Sequence, residues 1–281
     1  MSFGVALRRR GRTVRLKWHQ LRRAGTDPAH ARANLELGIE RGACLEIDIV
    51  ATRDGHFVCL HDHELACETT GKGVVWDWDR AAVERLRQCA NDGEPLAAPP
   101  LFLDEVAAAL AEAPPDWPGR LQLDLKQPLA RLDAVILARF AGLIAPVARH
   151  VVLGGTEWRA VTGLGRAVPG LRLGFDPLAI HEAAPPATAA EFQALGAYTL
   201  AHAPDAAIFY FHIPLLLRGL ELGVDLITMA KAHGAEVDAW RLEPEDDPAA
   251  AKLARLVEAG IDQITTDSPE ALEQLWQTLK A

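Results

Sequence analysis

The stretch from Cys44 to Asp62, Cys-Leu-Glu-Ile-Asp-Ile-Val-Ala-Thr-Arg-Asp-Gly-His-Phe-Val-Cys-Leu-His-Asp, decides how the rest of the chain is read. As a strand it puts Glu46 and Asp48 two residues apart, on one face, with Leu45, Ile47 and Ile49 on the other. Arg53-Asp54-Gly55 is a turn signal. A second extended run, His56 to Leu60, then delivers His61 and Asp62. Two carboxylates on an otherwise apolar strand repel each other and are costly to bury. A hard divalent cation would relieve that cost by taking their oxygens. The bland alternative is a half-exposed strand with its acids in water and His61 in a surface loop.

Outward from this stretch, short strands and helices alternate. Val14 to His19 predicts a strand ending in His19. Pro28 to Arg41 predicts a helix, stopped by Gly42. Residues from about His63 to Pro100 are rich in Gly, Pro and Trp and read as an excursion over a barrel mouth, with a short helix near Arg80–Gln88. Phe102 to Ala113 and Ala130 to Ala148 have helical patterns. Strands are expected at Leu121–Lys126, Val151–Gly154, Leu171–Phe175, Ala207–Phe211, Ala235–Trp240 and Gln263–Thr266. The helices between the later strands include Pro214–His233 and Pro248–Ala259. Ser268 is the expected N-cap of a last helix with Pro269 at its first position. Close to eight β-then-α units imply a parallel sheet closed on itself, a single (β/α)8 TIM barrel over residues 1–281.

Composition narrows the function classes. A 281-residue chain with 49% hydrophobic residues suits one large core. A net charge of −9 argues against nucleic-acid binding, and no run approaches the ~18 apolar residues of a membrane span. The basic N-terminal segment is followed by no apolar stretch, so a cytoplasmic location is expected rather than secretion. Cys44, Cys59, Cys67 and Cys89 form no Cys-x-x-Cys pair, and free thiols are the default. A disulfide between Cys59 and Cys67 is the alternative.

Chemistry in such a barrel gathers at the C-terminal strand ends. His19, Glu46, Asp48, His61, Asp124, Lys126, Trp240 and Asp267 all fall there. Taken alone, Asp124 and Lys126 read as an internal ion pair, His19 as a hydrogen-bonded core histidine, and Trp240 as packing. His63 and Glu64 read as solvated.

The whole pattern resembles the glycerophosphodiester phosphodiesterase family, whose run is approximately E-x-D-V-x-x-T-x-D-G-x-x-V-x-x-H-D. Glu46, Asp48, Ile49, Thr52, Asp54, Gly55, Val58, His61 and Asp62 stand in that register. Thr69-Thr70-Gly71-Lys72-Gly73 and Ile264-Thr265-Thr266-Asp267-Ser268-Pro269 look like the same family. The resemblance implies a phospholipase C-like TIM barrel. It further implies a Mg²⁺ or Ca²⁺ ion held by Glu46, Asp48 and Asp124, the last standing where the family has Glu. Lys126, Trp240 and Gln20 would meet a small phosphodiester substrate, for which a lysophospholipid is one option. His19 and His61 would be the acid/base pair, a role imidazole suits near neutral pH. Which of the two is acid, and the oligomeric state, stay open.

The chain also departs from the family. The family's His-Arg-Gly is His19-Gln20-Leu21, and its Pro-Glu-Asn-Thr is Pro28-Ala29-His30-Ala31. Gln20 thus occupies the place of a phosphate-binding arginine; Arg22 or Arg23 could replace it, though the two read more readily as a solvated basic loop. These departures, with Asp-x-Lys at 124–126, resemble the sphingomyelinase D enzymes. A cyclic phosphate product is therefore one alternative. A non-catalytic phosphate- or headgroup-binding barrel is a second.

Overall fold

The computed structural model describes residues 3–9 and 11–279. The strands are β1 (Ala6–Arg9), β2 (Arg12–Trp18), β3 (Cys44–Ala51), β4 (Phe57–Val58), β5 (Leu121–Leu125), β6 (Val151–Gly154), β7 (Arg172–Phe175), β8 (Ile208–His212), β9 (Glu236–Trp240) and β10 (Gln263–Thr266). The helices are α1 (Arg32–Arg41), α2 (Arg80–Val83), α3 (Leu103–Ala111), α4 (Ala134–Ile144), α5 (Trp158–Gly165), α6 (Leu178–Ala183), α7 (Ala189–His202), α8 (Ile213–Glu221), α9 (Leu226–Ala232), α10 (Ala249–Ala259) and α11 (Pro269–Thr278).

Strands β2, β3, β5, β6, β7, β8, β9 and β10 pair in parallel in that order, and β10 pairs back onto β2. The sheet therefore closes as a (β/α)8 barrel. Strand β1 lies antiparallel on β2, and β4 antiparallel on β3. Alternation decides which side chains face inward. Leu45, Ile47 and Ile49 of β3 pack outward in the main core, while Glu46 and Asp48 face the barrel axis and are buried too. A strand buried on both faces leaves charged groups no water, so their partners must be built in.

Beneath the mouth, the barrel carries such partners. Lys17 of β2 is 3.1 Å from Asp238 of β9, both buried, and also donates to Gln122. Asp238 accepts from Gln263 Nε2 and from Thr265 Oγ1, each at 2.7 Å. The Lys17 ammonium lies 4.4 Å from the centre of the Tyr210 ring. At the opposite end, Arg15, Arg120 and Arg172 all pair with Glu236 at the start of β9.

Several local expectations need correction. The expected helix over 214–233 is two helices, α8 and α9. The chain turns at Gly223 (φ +77°), a left-handed conformation that glycine adopts without steric cost, and Asp225 Oδ1 accepts from Thr228 N at 3.0 Å to start α9. Ser268 stands at the cap position of α11, but its hydroxyl accepts from Gly25 N at 3.2 Å and does not cap the helix. The helix expected from Ala130 begins at Ala134, capped by Asp133. All four cysteines are free, with Cys59 buried and Cys67 exposed, so no disulfide joins them. The hairpin β1–β2 had no signal beyond Gly11 and a run of arginines.

Residues after β4 form two short 3-10 turns and α2, built on their own apolar cluster of Val50, Val58, Leu60, Leu65, Val75, Val83 and Phe102. His63, expected to be solvated, is partly buried. Its Nε2 lies 2.7 Å from the Lys126 carbonyl oxygen, and its ring sits 4.4 Å from that of Trp76. This contact ties the segment to the end of β5. Glu64 Oε1 accepts from Gly73 N at 2.7 Å.

Candidate active site

Strand register brings the acids together. In the β3–β5 pairing Asp48 stands opposite Asp124, and Glu46 opposite Gln122. One oxygen from each of Glu46, Asp48 and Asp124 lies within 4.8 Å of the others. Two of the three acids are buried. This is a hard, all-oxygen donor set of a kind that suits Mg²⁺ or Ca²⁺. Burial pushes the Glu46 carboxyl well above its ordinary pKa, and the charges of Asp48 and Asp124 push it further. Burial would do the same to Asp48, but Lys126 and then His30 outweigh it and hold Asp48 well below the usual range.

Lys126 Nζ lies 3.0 Å from Asp48 Oδ1 and 2.7 Å from Asp124 Oδ2. Burial opposes its charge, while Asp124 and Asp48 raise its pKa and keep it an ammonium. Gln20 is buried and does not line the cavity. Its Nε2 donates to Asp48 Oδ2 at 2.9 Å, and its backbone N–H to Glu46 Oε2 at 2.7 Å. The chain reaches this arrangement through left-handed backbone at Gln20 (φ +51°) and Leu21 (φ +60°), a conformation that costs a side-chain-bearing residue roughly 1–2 kcal/mol.

His19 follows β2 directly, and its Nδ1 lies 2.7 Å from Asp267 Oδ1, just beyond β10. A carboxylate at that distance fixes the proton on Nδ1 and leaves Nε2 as the acceptor. Burial lowers the His19 pKa, against the raising influence of Asp267. His61 is half-exposed at the mouth, on a loop held by its own backbone N–H donating to Glu68 Oε2 at 2.7 Å. Both imidazoles line one cavity of about 250 Å³ with the three acids, Lys126 and Trp240. Trp240 closes β9, with its ring 4.8 Å from that of His212.

Sequence reasoning missed several residues. His30 is buried with Nε2 3.3 Å from both the backbone N and the Oδ2 of Asp48. Its only signal was its place in the altered Pro-Ala-His-Ala segment. Lys17 lines the cavity floor and had a period-two signal, since it shares the inward face with His19. Asp176 follows β7 and also lines the cavity. Burial, reinforced by Asp124, raises its pKa to about 8, and Leu178 N donates to its Oδ1 at 2.8 Å. Arg241, next to Trp240, pairs with Asp267 Oδ2 at 2.8 Å. Arg22 and Arg23 do not line the cavity: Arg22 donates to the Asp27 carbonyl and Asn91 and lies 3.6 Å from Asp267 Oδ1, and Arg23 donates to Glu270.

A barrel whose strand ends carry clustered acids, a lysine and two imidazoles defines a class, the phosphodiester-cleaving TIM barrels. Residues 24–271 match the model of the glycerophosphoryl diester phosphodiesterase family. The chain belongs to that family, and with it to the phosphoric diester hydrolases. It is 24% identical over 258 residues to a glycerophosphodiester phosphodiesterase of Caldanaerobacter subterraneus subsp. tengcongensis, covering 88% of this chain and 92% of that protein. Solved structures share the fold. An Oleispira antarctica phosphodiesterase in complex with its product sn-glycerol-3-phosphate has a TM-score of 0.66 at 18% identity, covering 93% of this chain and 96% of that one. A glycerophosphodiester phosphodiesterase from Agrobacterium tumefaciens has a TM-score of 0.66 at 18% identity, covering 94% and 99%. The family matched is the first of the two enzyme groups that the sequence resembles. No helix among the described residues is long and apolar enough to cross a membrane.

Proposed function

We propose that this chain hydrolyses a small glycerophosphodiester to a phosphomonoester and an alcohol, with a divalent cation on Glu46, Asp48 and Asp124. The observation that carries the reading is the convergence of these three carboxylates with His19, His61 and Lys126 around one cavity. When bound, the cation supplies charge neutralisation for the phosphate oxygens. Lys126 adds a point charge beside it. Gln20 and His30 hold Asp48 in orientation from below.

His19, neutral and with Nε2 free to accept, takes the proton from the attacking water as the new O–P bond forms. Asp267 keeps its tautomer and steadies the resulting imidazolium. His61 gives a proton to the leaving alcohol oxygen as the old P–O bond breaks. Asp176 and Trp240, on the same wall-to-mouth path, are available to the alcohol portion. The size of the cavity favours a small headgroup diester over a whole lysophospholipid.

The test is turnover of glycerophosphocholine with added Mg²⁺ or Ca²⁺, followed by ³¹P NMR. Appearance of the phosphomonoester supports the reading. A persistent five-membered cyclic phosphate would move the chain to lyase-type chemistry. Absence of any metal-dependent product from this and other small glycerophosphodiesters would refute it.

A further inference from the structure

Gln20 leaves the phosphate without an arginine at the position where the family resemblance expects one. Arg22, the nearest in sequence, is held by the Asp27 carbonyl and Asn91, lies 3.6 Å from Asp267 Oδ1 and does not line the cavity, and Arg23 is committed to Glu270. Lys126 is engaged by Asp48 and Asp124, and Lys17 is 3% exposed between Asp238 and Gln122. We propose that Arg241 is the phosphate-gripping residue of this site, set in position by Asp267.

The inference rests on the phosphodiesterase reading and on four observations. Arg241 lines the same cavity as the three acids and Lys126. Its side chain is 44% exposed, against 14% for Arg22, which does not line the cavity. It directly follows β9, at the strand end where the other cavity residues gather. It is also anchored: Nη1 lies 2.8 Å from Asp267 Oδ2, and Nε 3.5 Å from Glu243 Oε1.

Asp267 gives Oδ2 to Arg241 and Oδ1 to His19, with Arg22 Nη1 3.6 Å from that same Oδ1. The guanidinium is thereby held in fixed relation to the imidazole that takes the proton. A guanidinium carries five N–H donors, so two carboxylate contacts leave part of the fork for two oxygens of a tetrahedral phosphate. An arginine tethered through one carboxylate is pre-organised, and less side-chain entropy is lost when the ligand arrives.

The experiment measures binding and turnover separately. Calorimetry of the full chain in Mg²⁺, with inorganic phosphate and with sn-glycerol-3-phosphate as probes, compares wild type with Arg241→Ala and Arg241→Lys. Arg241→Ala should weaken both probes about tenfold or more, the scale of a lost charge-assisted contact. Arg241→Lys, which restores a charge without the fork, should recover part of the affinity. In glycerophosphocholine turnover, KM should rise by a similar factor while kcat changes less. Should Arg241→Ala unfold, Arg241→Gln keeps the length, removes the charge and carries the same expectation.

Unchanged probe affinity in a folded neutral variant overturns the proposal, as does a wild type that binds neither probe. A fall in kcat with KM and probe affinity intact also overturns it, because Arg241 would then act only through Asp267 and His19. A wild type that binds phosphate through Arg241 but turns over no glycerophosphodiester would count against the functional reading and not against the grip.

Discussion

Asp48 and Asp124 are register partners on the adjacent parallel strands β3 and β5, so the barrel's hydrogen-bond ladder itself sets two carboxylates side by side. Lys126 bridges them, at 3.0 and 2.7 Å. One ammonium cannot neutralise three acids, and burial first, then the charges of Asp48 and Asp124, raise the Glu46 pKa. Exhaustive EDTA treatment should abolish turnover and lower Tm, and Mg²⁺ or Ca²⁺ should restore both. At a metal concentration of 100 Kd the gain is about 2.7 kcal/mol, or roughly 5 °C and upward in Tm. Gln20→Ala should weaken metal affinity about 10- to 100-fold, since that amide orients Asp48. Full activity in metal-free protein would remove the cation from the mechanism.

The two histidines should separate by leaving group. With glycerophosphocholine, His19→Ala and His61→Ala should each lose about 10²-fold or more in kcat. With a p-nitrophenyl diester, whose leaving group needs no proton, His61→Ala should approach wild type while His19→Ala stays impaired. The reverse pattern would exchange the acid and base assignments. Near-wild-type kcat of His61→Ala on both substrates would remove it from the chemistry.

Glu243 gives a pH signature in stability. Burial, with the charge of Asp267, lifts its pKa from 4.5 to about 7, although Asp267 N donates to it at 2.8 Å. Between those values the unfolded chain releases the proton while the folded chain keeps it. The unfolded state then binds fewer protons, so this group's contribution falls as pH rises from about 4.5 to 7 and stays low above. Glu243→Gln should therefore raise Tm relative to wild type more at pH 8 than at pH 5. An equal difference at the two pH values would show an ordinary carboxyl.

Lys17 and Asp238 form a buried ion pair with its hydrogen bonds supplied by Gln122, Gln263 and Thr265. Removing one partner strands a charge, and Lys17→Met should cost about 3–5 kcal/mol in denaturant unfolding. The double change Lys17→Met with Asp238→Leu should recover much of that loss. Additive losses in the double variant would mean that each residue acts independently of the other.

Period-two alternation and βα alternation placed His19, Glu46, Asp48, His61, Asp124, Lys126 and Trp240 at one end of the barrel, and only the family resemblance made Asp124, Lys126, His19 and Trp240 site residues in place of an ion pair, a core histidine and packing. The same local rules gave the barrel and the stop at Gly42, which has φ +76°. They could not show that Asp48 faces Asp124, since register between strands 76 residues apart depends on closing the whole sheet. His30 looked idle because its partner Asp48 comes from another element. Arg241 and Asp267 drew together only when β9 and β10 became neighbours. Gln20 read as a gap in the phosphate site, and its turn through left-handed backbone makes it a support of the acids instead. Sequence thus determined the fold and the residue types at each strand end, because those follow from local periodicity. Tertiary structure decided which charges neutralise which, because Coulomb and hydrogen-bond partners are chosen across space, by the closure of the barrel.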